Sequence, residues 1–240
     1  MSEKPLMHLL KNHKILVSPT NNRILDGLKS LGLEVIETQP IGQLIEYERY
    51  HADMQLLIID NTAFISEDSL YLKQYLSKKY DPIVINKLKG KYPGNVQLNI
   101  AVVNKKMICK QNAVANEIIE YAKNNSFEII NTNQGYTKCS SLVLNSNALI
   151  TSDKSIYKAA IGSGIKALLI SPGNIYLDGT SSGFIGGASG VVEDKVIFFG
   201  DIKKHPDSFK IIDFIYNQGM NHISLNDNIL IDVGGLVLIE

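Results

Sequence analysis

The sequence predicts an α/β fold in which a ββαβ unit recurs five times within one domain, residues 1–240, as a five-fold pseudosymmetric α/β propeller. Four stretches, which begin at His51, Asn95, Tyr136 and Ile185, share one order of two apolar runs separated by turn formers. A helical pattern and a further apolar strand follow each stretch. Such a unit cannot bury its apolar face alone, so we expect tandem copies to pack against one another.

A β-hairpin opens each of these four units. Asp60, Asn104, Asn145 and Asp194 occupy one position in the aligned stretches, each between two apolar runs. Asn and Asp tolerate the turn conformations that join antiparallel strands, so this pattern predicts hairpins. The hairpins argue against the alternative, an open doubly wound sheet in which strands and helices simply alternate.

A helix and a third strand follow each hairpin. In the last unit Pro206 suits the first helical turn, Asp207 favours the helix N-terminus, and Gly219 ends the helix. The four predicted helices lie within EDSLYLKQYLSKKY, NAVANEIIEYAKNNS, DKSIYKAAIGSG and PDSFKIIDFIYNQG, and the strands after them are PIVIN, FEIIN, IKALLIS and MNHIS.

The two ends of the chain together predict the fifth unit. KILVS, NNRILDGLKSLG and LEVIE form a strand, a helix and a strand that lack a hairpin partner. NILIDVGGLVLIE contains two apolar strands around a Gly-Gly turn, with no helix after them. The simplest closure pairs these C-terminal strands with residues 14–18, which leaves the ring without an open end.

Charge and composition favour a small-molecule partner. The 24 basic residues balance 24 acidic ones, so no global charge favours nucleic acid or an anionic membrane. The first residues lack signal-peptide features, and charges interrupt every apolar run, which predicts a cytoplasmic protein without membrane spans. Cys109 and Cys139 are too few for a disulfide framework. We expect no cofactor, and the composition leaves the oligomeric state open.

The arrangement of five ββαβ units in a closed ring resembles the pentein fold of the guanidine-modifying enzyme superfamily. His51-Ala52-Asp53 is similar to the His-x-Asp motif of its deiminases. The segments YPGNVQLN, QGYTKCSS, ITSDKSIYKAA, GFIGGASG and GDIKKHPD resemble an uncharacterised bacterial family of this fold. The resemblance implies either a hydrolase or transferase that acts on guanidino or related C–N groups, or a non-catalytic relative such as the ribosome anti-association initiation factor.

A polar face at the starts of the hairpins is the candidate site. His51 and Asp53 are two residues apart on a predicted strand, so we expect their side chains on one face. The resemblance implies that His51 is a general acid and base and that Asp53 holds a cationic group. The alternative is a pair of solvated residues at the start of a strand. Polar residues recur on this face in other units: Lys138 at the Asp53 position, and Gln55, Asn99, Ser140 and Ser189 at the next.

Cys139 is the candidate nucleophile, because the related deiminases attack with a thiolate, and Lys138 beside it would lower the thiol pKa. The aligned position is apolar in the other units, which predicts that Cys139 faces the core, away from His51 and Asp53. The nucleophile of the related enzymes also lies near the C-terminus, where this chain has no cysteine. Cys109 aligns with core positions.

Further candidates lie in the long irregular segment of residues 171–190 and near the C-terminus. Gly186, Gly187 and Ser189 offer backbone N–H groups for an anion, although a flexible connection is the alternative. Asp232 is a candidate for holding a guanidinium group by analogy with the related enzymes. We expect no metal site, because His205 and His222 are not placed to complete a shell with His51 and Asp53.

Overall fold

The structure, a computed structural model, describes residues 10–76 and 79–240. Residues 1–9, 77 and 78 lie outside it, and so do the predictions that fall on them: the expected lack of signal-peptide features and part of the helix predicted within EDSLYLKQYLSKKY. The strands in chain order are β1 (Lys14–Val17), β2 (Glu34–Glu37), β3 (Leu56–Ile59), β4 (Thr62–Ser66), β5 (Asp81–Ile85), β6 (Ala101–Val103), β7 (Lys106–Cys109), β8 (Glu128–Asn131), β9 (Ser141–Asn145), β10 (Ala148–Thr151), β11 (Lys166–Leu169), β12 (Ile175–Tyr176), β13 (Ser189–Val192), β14 (Lys195–Phe198), β15 (Asn221–Ser224), β16 (Leu230–Ile231) and β17 (Leu236–Leu238).

Within the described residues, five sheets have three strands each and share one topology. In four of them the central strand pairs antiparallel with the strand before it in the chain and parallel with the strand after it, and in the fifth β1 pairs antiparallel with β17 and parallel with β2. The sheets are β3-β4-β5, β6-β7-β8, β9-β10-β11, β13-β14-β15 and β17-β1-β2.

The chain ends meet in the last of these sheets. β1 pairs antiparallel with β17, with Ile15 opposite Leu238, as the sequence predicts. The other C-terminal strand does not join them. β16 instead pairs parallel with β12, because the chain from residue 171 to 190 returns past the C-terminal segment and supplies a strand there.

Helices connect the central and third strands in four of the sheets. They are α1 (Asn22–Ser30), α2 (Asn116–Asn124), α3 (Lys154–Gly162) and α4 (Ser208–Asn217). Each buries aliphatic side chains, such as Ile118 of α2 and Ile156 of α3, against the sheets. None of the helices in the described residues is long and apolar enough to cross a membrane.

The helix predicted between β4 and β5 is wrong. Glu67–Gln74 is a 3₁₀ segment interrupted at Ser69, whose φ and ψ are −115° and 24°. Side chains hold this segment in place, because the Tyr71 hydroxyl donates to Gln55 Oε1 at 2.8 Å and Ser69 Oγ donates to the same oxygen at 3.4 Å. With these side-chain contacts the segment forms 3₁₀ turns instead of a regular α-helix.

The hairpin registers correct the predicted alignment at two positions. Asn145 is the last residue of β9 and pairs with Ala148, so it does not lie in the turn. Ile59 pairs with Thr62, and Val192 pairs with Lys195, so Glu193 occupies the turn position of Asp60. Both Asp60 and Glu193 have positive φ, at 52° and 54°. In the predicted alignment Asp194 is therefore one residue out of register. The alignment matched Asp194 to Asp60 because both are turn-forming side chains, whereas the backbone of the turn matches Glu193 to Asp60. Ala188, not Ser189, is the equivalent of Gln55.

The first strands of the five sheets lie beside one another. β17 contacts β3 and β13, β13 contacts β9, and β9 contacts β6. Residues from all five of these strands line a cavity of about 250 Å³, which we call the axial cavity. The segments that precede β3, β6, β9 and β17 meet at one end of it and carry the candidate site residues.

Candidate active site

The segments that carry the candidate residues are turns rather than strands. Ala52–Met54 is a short 3₁₀ helix before β3, and residues 137–140 form a turn before β9. The alternation of faces along a strand therefore does not apply to them. This overturns the geometric premise from which the sequence placed Cys139 in the core, opposite to His51 and Asp53.

Cys139 instead lies against Asp53 and His51. Its thiol donates a hydrogen bond to Asp53 Oδ2 at 2.8 Å and accepts one from Asn99 Nδ2 at 3.0 Å. One ring nitrogen of His51, one carboxylate oxygen of Asp53 and the sulfur of Cys139 all lie within 4.8 Å of one another. The prediction that Cys139 faces away from the other two residues is wrong, and the three candidate catalytic residues form one cluster.

A cavity of about 220 Å³, which we call the substrate pocket, borders this cluster. His51, Cys139 and Asp232 line it, together with Glu48, which the sequence did not single out. Glu48 is 3% exposed and accepts a hydrogen bond from Asn95 Nδ2 at 2.8 Å. The aligned repeats begin at His51, so Glu48 lay outside them. The signal available in the sequence was an acidic residue three positions before His51.

Asp232 is held at the pocket by backbone N–H groups. Its Oδ2 accepts from Phe184 N at 2.8 Å, and its Oδ1 accepts from Gly234 N at 2.9 Å. Gly187 allows this approach, because a Cβ at that residue would lie 1.9 Å from Asp232 Oδ1. Asp232 is thus a fixed carboxylate beside the pocket.

Gly234 brings the C-terminal segment against His51. Its φ is +76°, and a Cβ there would lie 2.3 Å from His51 Cβ. Only glycine combines that backbone conformation with so close an approach. The carbonyl of Gly234 also accepts a hydrogen bond from Asp53 N at 3.3 Å. The Gly-Gly turn therefore positions both residues of the His-x-Asp string.

Aromatic rings form another wall of the pocket. The Tyr136 ring stacks on Phe184, with ring centroids 6.2 Å apart, and on its other side on Tyr92, at 5.8 Å. The Tyr136 hydroxyl accepts a hydrogen bond from Asn95 Nδ2 at 2.7 Å. Burial is the main cause that raises the pKa of Tyr136, so its hydroxyl stays neutral. Phe184 belongs to the long irregular segment, which therefore covers the pocket.

Burial dominates the protonation states of the cluster. It raises the pKa of Asp53 to about 6, against the opposing effects of His51, the Cys139 hydrogen bond and Lys138. Burial, with the charges of Asp53 and Asp232, raises the pKa of Cys139 well above its usual value. Burial also lowers the pKa of Lys138, although Asp53 opposes that effect. The cluster thus contains a neutral thiol bonded to a carboxylate near neutral pH.

These three residue types also occur as metal ligands. Ligation by cysteine requires the thiolate, whose formation the burial and the adjacent carboxylates oppose here. We therefore interpret the cluster as an acid–base group.

The remaining predicted site residues divide into three groups. Lys138 lines the axial cavity rather than the substrate pocket. Asn99 contacts the thiol, as described. Gln55 and Ser140 are fully buried, and the Gln55 amide donates to two backbone carbonyls, so both lie behind the pocket wall.

In the irregular segment, for which the sequence predicts an anion site, the backbone N–H of Gly187 is engaged within the protein. The N–H of Gly187 donates to Cys139 O at 3.0 Å, and Ser189 Oγ donates to Ile185 O at 2.6 Å. A Cβ at Gly186 would lie 2.3 Å from Lys138 O, so that backbone packs against the turn before β9. These glycines pack two segments together. Cys109 is buried in the core as predicted, and burial raises its pKa to about 12.

Solved structures with similar folds are enzymes of the guanidine-modifying superfamily. DDAH from Pseudomonas aeruginosa, a cysteine-to-serine mutant complexed with citrulline, superposes with a TM-score of 0.56 at 11% identity, over 91% of this chain and 92% of that chain. A cysteine-to-serine mutant of agmatine deiminase from C. jejuni, with substrate bound, gives 0.56 at 10%, over 97% and 94%. Inosamine-phosphate amidinotransferase from Streptomyces griseus gives 0.57 at 10%, over 98% and 95%. The chain therefore has the pentein fold that the sequence resemblance predicts.

The sequence comparisons give a family without an assigned activity. The chain matches none of the curated proteins by sequence. A family model described as a family of unknown function, DUF6873, matches residues 16–237. Because this match covers nearly all of the sequence, the chain belongs to the DUF6873 family.

Proposed function

We propose that this protein is a pentein-fold enzyme that cleaves a C–N bond in the guanidino or amidino group of a small cationic molecule, with Cys139 as nucleophile. One observation carries the proposal. The Cys139 thiol is hydrogen-bonded to Asp53, within 4.8 Å of His51, on the wall of a pocket that two further buried carboxylates also border. This combination supplies a nucleophile, two proton-transfer groups and a cation site.

We also infer that the five three-stranded sheets form one closed ring, an α/β propeller. The contacts among β3, β6, β9, β13 and β17 support it, as does the pairing of β1 with β17. A ring explains why segments from distant parts of the sequence meet at one end of the axial cavity. The reactive cluster draws its residues from two of these sheets.

The pocket is complementary to a planar cation. Glu48 and Asp232 present carboxylates to it, while Tyr136 and Phe184 present aromatic surface. Neither lysine nor arginine is among its described lining residues. Carboxylates pair with guanidinium groups through directional hydrogen bonds, and ring faces attract cations. Glu48 and Asp232 are therefore our proposed cation-binding residues, whereas Asp53 is engaged by the thiol.

The proposed chemistry follows from these contacts. The Cys139 sulfur attacks the amidino carbon and forms a C–S bond, while Asp53 Oδ2 accepts the thiol proton. The C–N bond then breaks, and His51 donates a proton to the departing amine. Water, or an acceptor amine in a transferase, next attacks the same carbon and releases the thiol, with His51 as base. A bound cation lowers the thiol pKa, because its charge offsets those of the neighbouring carboxylates.

A second candidate is binding of a metabolite without chemistry. The raised pKa of Cys139 favours it, since a thiol is a much weaker nucleophile than a thiolate. The two candidates differ in whether a bond is broken, so one experiment separates them.

The test is incubation with simple guanidino and amidino compounds, with detection of released ammonia or amine and of the intact protein mass. The enzyme proposal expects turnover and a covalent adduct on the Cys139 peptide. Cys139→Ser and His51→Gln should abolish turnover, while Cys109→Ala, which changes the other thiol, should retain it. Binding in calorimetry without product or adduct would establish the second candidate and refute the first.

The pocket continues into a second space of about 180 Å³ that accommodates the rest of the molecule. Both spaces share Tyr47, His51 and Asp232, and the second adds Asp178. Its described lining contains no lysine or arginine. We therefore propose that the far end of the ligand is neutral or cationic rather than a carboxylate.

A matched pair of compounds tests that preference. 4-Guanidinobutylamine and 4-guanidinobutanoate have the same guanidino group and chain but opposite charges at the far end. We expect the amine to bind at least about tenfold more tightly, a difference of about 1.4 kcal/mol. Asp178→Asn should reduce that ratio, and Asp213→Asn, on the exposed face of α4, should not. Tighter binding of the butanoate would contradict the proposal.

We further propose that the protein acts in the cytoplasm. Cys109 and Cys139 are both free. A thiol nucleophile needs a reducing compartment to stay reduced, which supports this location.

A further inference from the structure

The axial cavity is a second space, apart from the substrate pocket, and of its lining residues the proposed chemistry uses only Asp53. Its wall is almost entirely aliphatic and receives side chains from all five first strands. At its outer end, near the hairpin turns, one half-buried residue from each first strand surrounds the opening: Ile58, Val102, Val143, Val191 and Leu238. A ring of half-exposed aliphatic side chains around an opening suits an apolar chain that enters from solvent.

The inner end of the axial cavity carries its only two charged lining residues among those described, Asp53 and Lys138. Asp53 is 2% exposed, and its Oδ1 has no hydrogen-bond partner, although Oδ2 accepts from Cys139. The Lys138 ammonium makes no hydrogen bond or ion pair within residues 10–76 and 79–240, so Asp53 attracts it only from beyond contact distance. The inner end therefore presents one hydrogen-bond acceptor, Asp53 Oδ1, and one donor, the Lys138 ammonium, neither of which has a partner among the described residues.

Asp53 Oδ1 is a buried polar atom without a partner, which costs free energy that a suitable ligand recovers. The partner required here must accept a hydrogen bond from Lys138 and share a proton with Asp53 Oδ1. A carboxyl group does both, and an attached alkyl chain matches the aliphatic wall. An alkylamine would bring a second ammonium toward Lys138, and an alcohol would leave the Lys138 charge without a counter-charge.

We propose that the axial cavity binds a free alkyl carboxylic acid, with the carboxyl group between Lys138 and Asp53 and the alkyl chain directed toward Val102 and Val191. This site shares no lining residue with the substrate pocket, and Asp53, whose other carboxylate oxygen accepts from Cys139, lies between the two. The occupant would be a medium-chain fatty acid or a chemically equivalent alkyl carboxylate.

Binding of a carboxylate beside Asp53 should be coupled to the uptake of a proton. Asp53 faces His51 on its own segment, Cys139 and Lys138 on the turn before β9, and Asp232 on the segment before β17. Its pKa of about 6 means that it is mostly ionised at neutral pH. A second carboxylate beside it raises that pKa further, so binding takes up one proton shared by the two carboxyl groups. Affinity should therefore fall about tenfold for each pH unit above neutrality.

Calorimetry with sodium octanoate at pH 7 and pH 8, in buffers of different ionisation enthalpy, measures this proton uptake. We expect uptake of about one proton and a dissociation constant about tenfold larger at pH 8. Octylamine and 1-octanol, which have the same chain, should bind more weakly at pH 7. Tighter binding of octylamine, or octanoate binding without proton uptake, would overturn the proposal.

Variants and methyl spectra locate the site. Lys138→Met should weaken octanoate binding at least about tenfold, whereas Lys166→Met, which removes an exposed lysine, should not change it. Octanoate should shift the methyl resonances of Ile58, Val102 and Val191 in the wild-type protein. This measurement does not depend on any variant folding. Unshifted axial methyl groups, or undiminished binding to the Lys138 variant, would refute the site even if the proposed enzyme chemistry were correct.

Discussion

Replacing Asp53 by asparagine should activate the Cys139 thiol toward a simple alkylating reagent. The carboxylate accepts the thiol hydrogen bond at 2.8 Å and, as an adjacent negative charge, opposes ionisation of the thiol. Two unit charges about 4 Å apart interact by roughly 4 kcal/mol at an effective dielectric constant of about 20, which corresponds to about 3 in pKa. His51 and Lys138 offset part of this charge, so Asp53→Asn should lower the Cys139 pKa by less than the bare interaction implies.

Iodoacetamide labelling followed by mass spectrometry measures the effect. Far below its pKa a thiol gains about tenfold in thiolate for each unit by which that pKa falls, so Asp53→Asn should label at least about tenfold faster near neutral pH. The advantage should shrink below about pH 6, where Asp53 of the wild-type protein becomes protonated. Cys109, buried with a pKa of about 12, is the internal control. Slower labelling of the variant would refute the claim that the negative charge of Asp53 raises the pKa of the Cys139 thiol.

The same substitution should stabilise the fold at neutral pH. The pKa of Asp53 rises from 3.8 in the unfolded chain to about 6 in the folded protein, so its contribution to stability is complete below about pH 4 and is lost as pH rises through 6. Asp53→Asn should therefore raise the free energy of unfolding, measured with denaturant, by up to about 3 kcal/mol near pH 7.5 and by little near pH 4. Gly234→Ala, where a Cβ would meet His51 at a φ of +76°, should lower the melting temperature by several degrees, while Gly162→Ala, with nothing within 4 Å of the new Cβ, should leave it unchanged or raise it. Glu48→Gln keeps the size of the side chain and should weaken binding of a guanidinium compound at least about tenfold in calorimetry, with unchanged affinity counting against its role.

The repeating unit was predictable from the sequence because apolar periodicity and turn formers determine local structure directly. The hairpins, the helices α1, α2, α3 and α4, and the pairing of the chain ends follow from it. The 3₁₀ segment of residues 67–74 does not, because side-chain contacts to Gln55 from elsewhere in the fold determine it. The register of the last hairpin was missed because a backbone conformation at Glu193, rather than a side-chain type, defines the turn position.

The candidate site shows the limit of strand-based reasoning. Superposition of the repeats brought His51 and Asp53 to attention, but it assumed that the segments around them are strands. They are turns, and a turn directs neighbouring side chains by its own backbone angles, so Cys139 lies against Asp53. Glu48 was missed because it precedes the repeat, and its burial depends on Asn95 from a different sheet. Such contacts between units leave no pattern along a single sequence.

The central claim is that Cys139 is a nucleophile in a pocket selective for cations. Labelling with 2-chloroacetamidine and 2-chloroacetamide tests it most directly, because the two reagents have nearly the same shape and leaving group but only the amidine is charged. If Glu48 and Asp232 recruit the cation beside the thiol, the amidine should modify Cys139 at least about tenfold faster than the amide at the same pH, relative to their rates with a free thiol. Equal relative rates, or modification confined to residues other than Cys139, would contradict the claim.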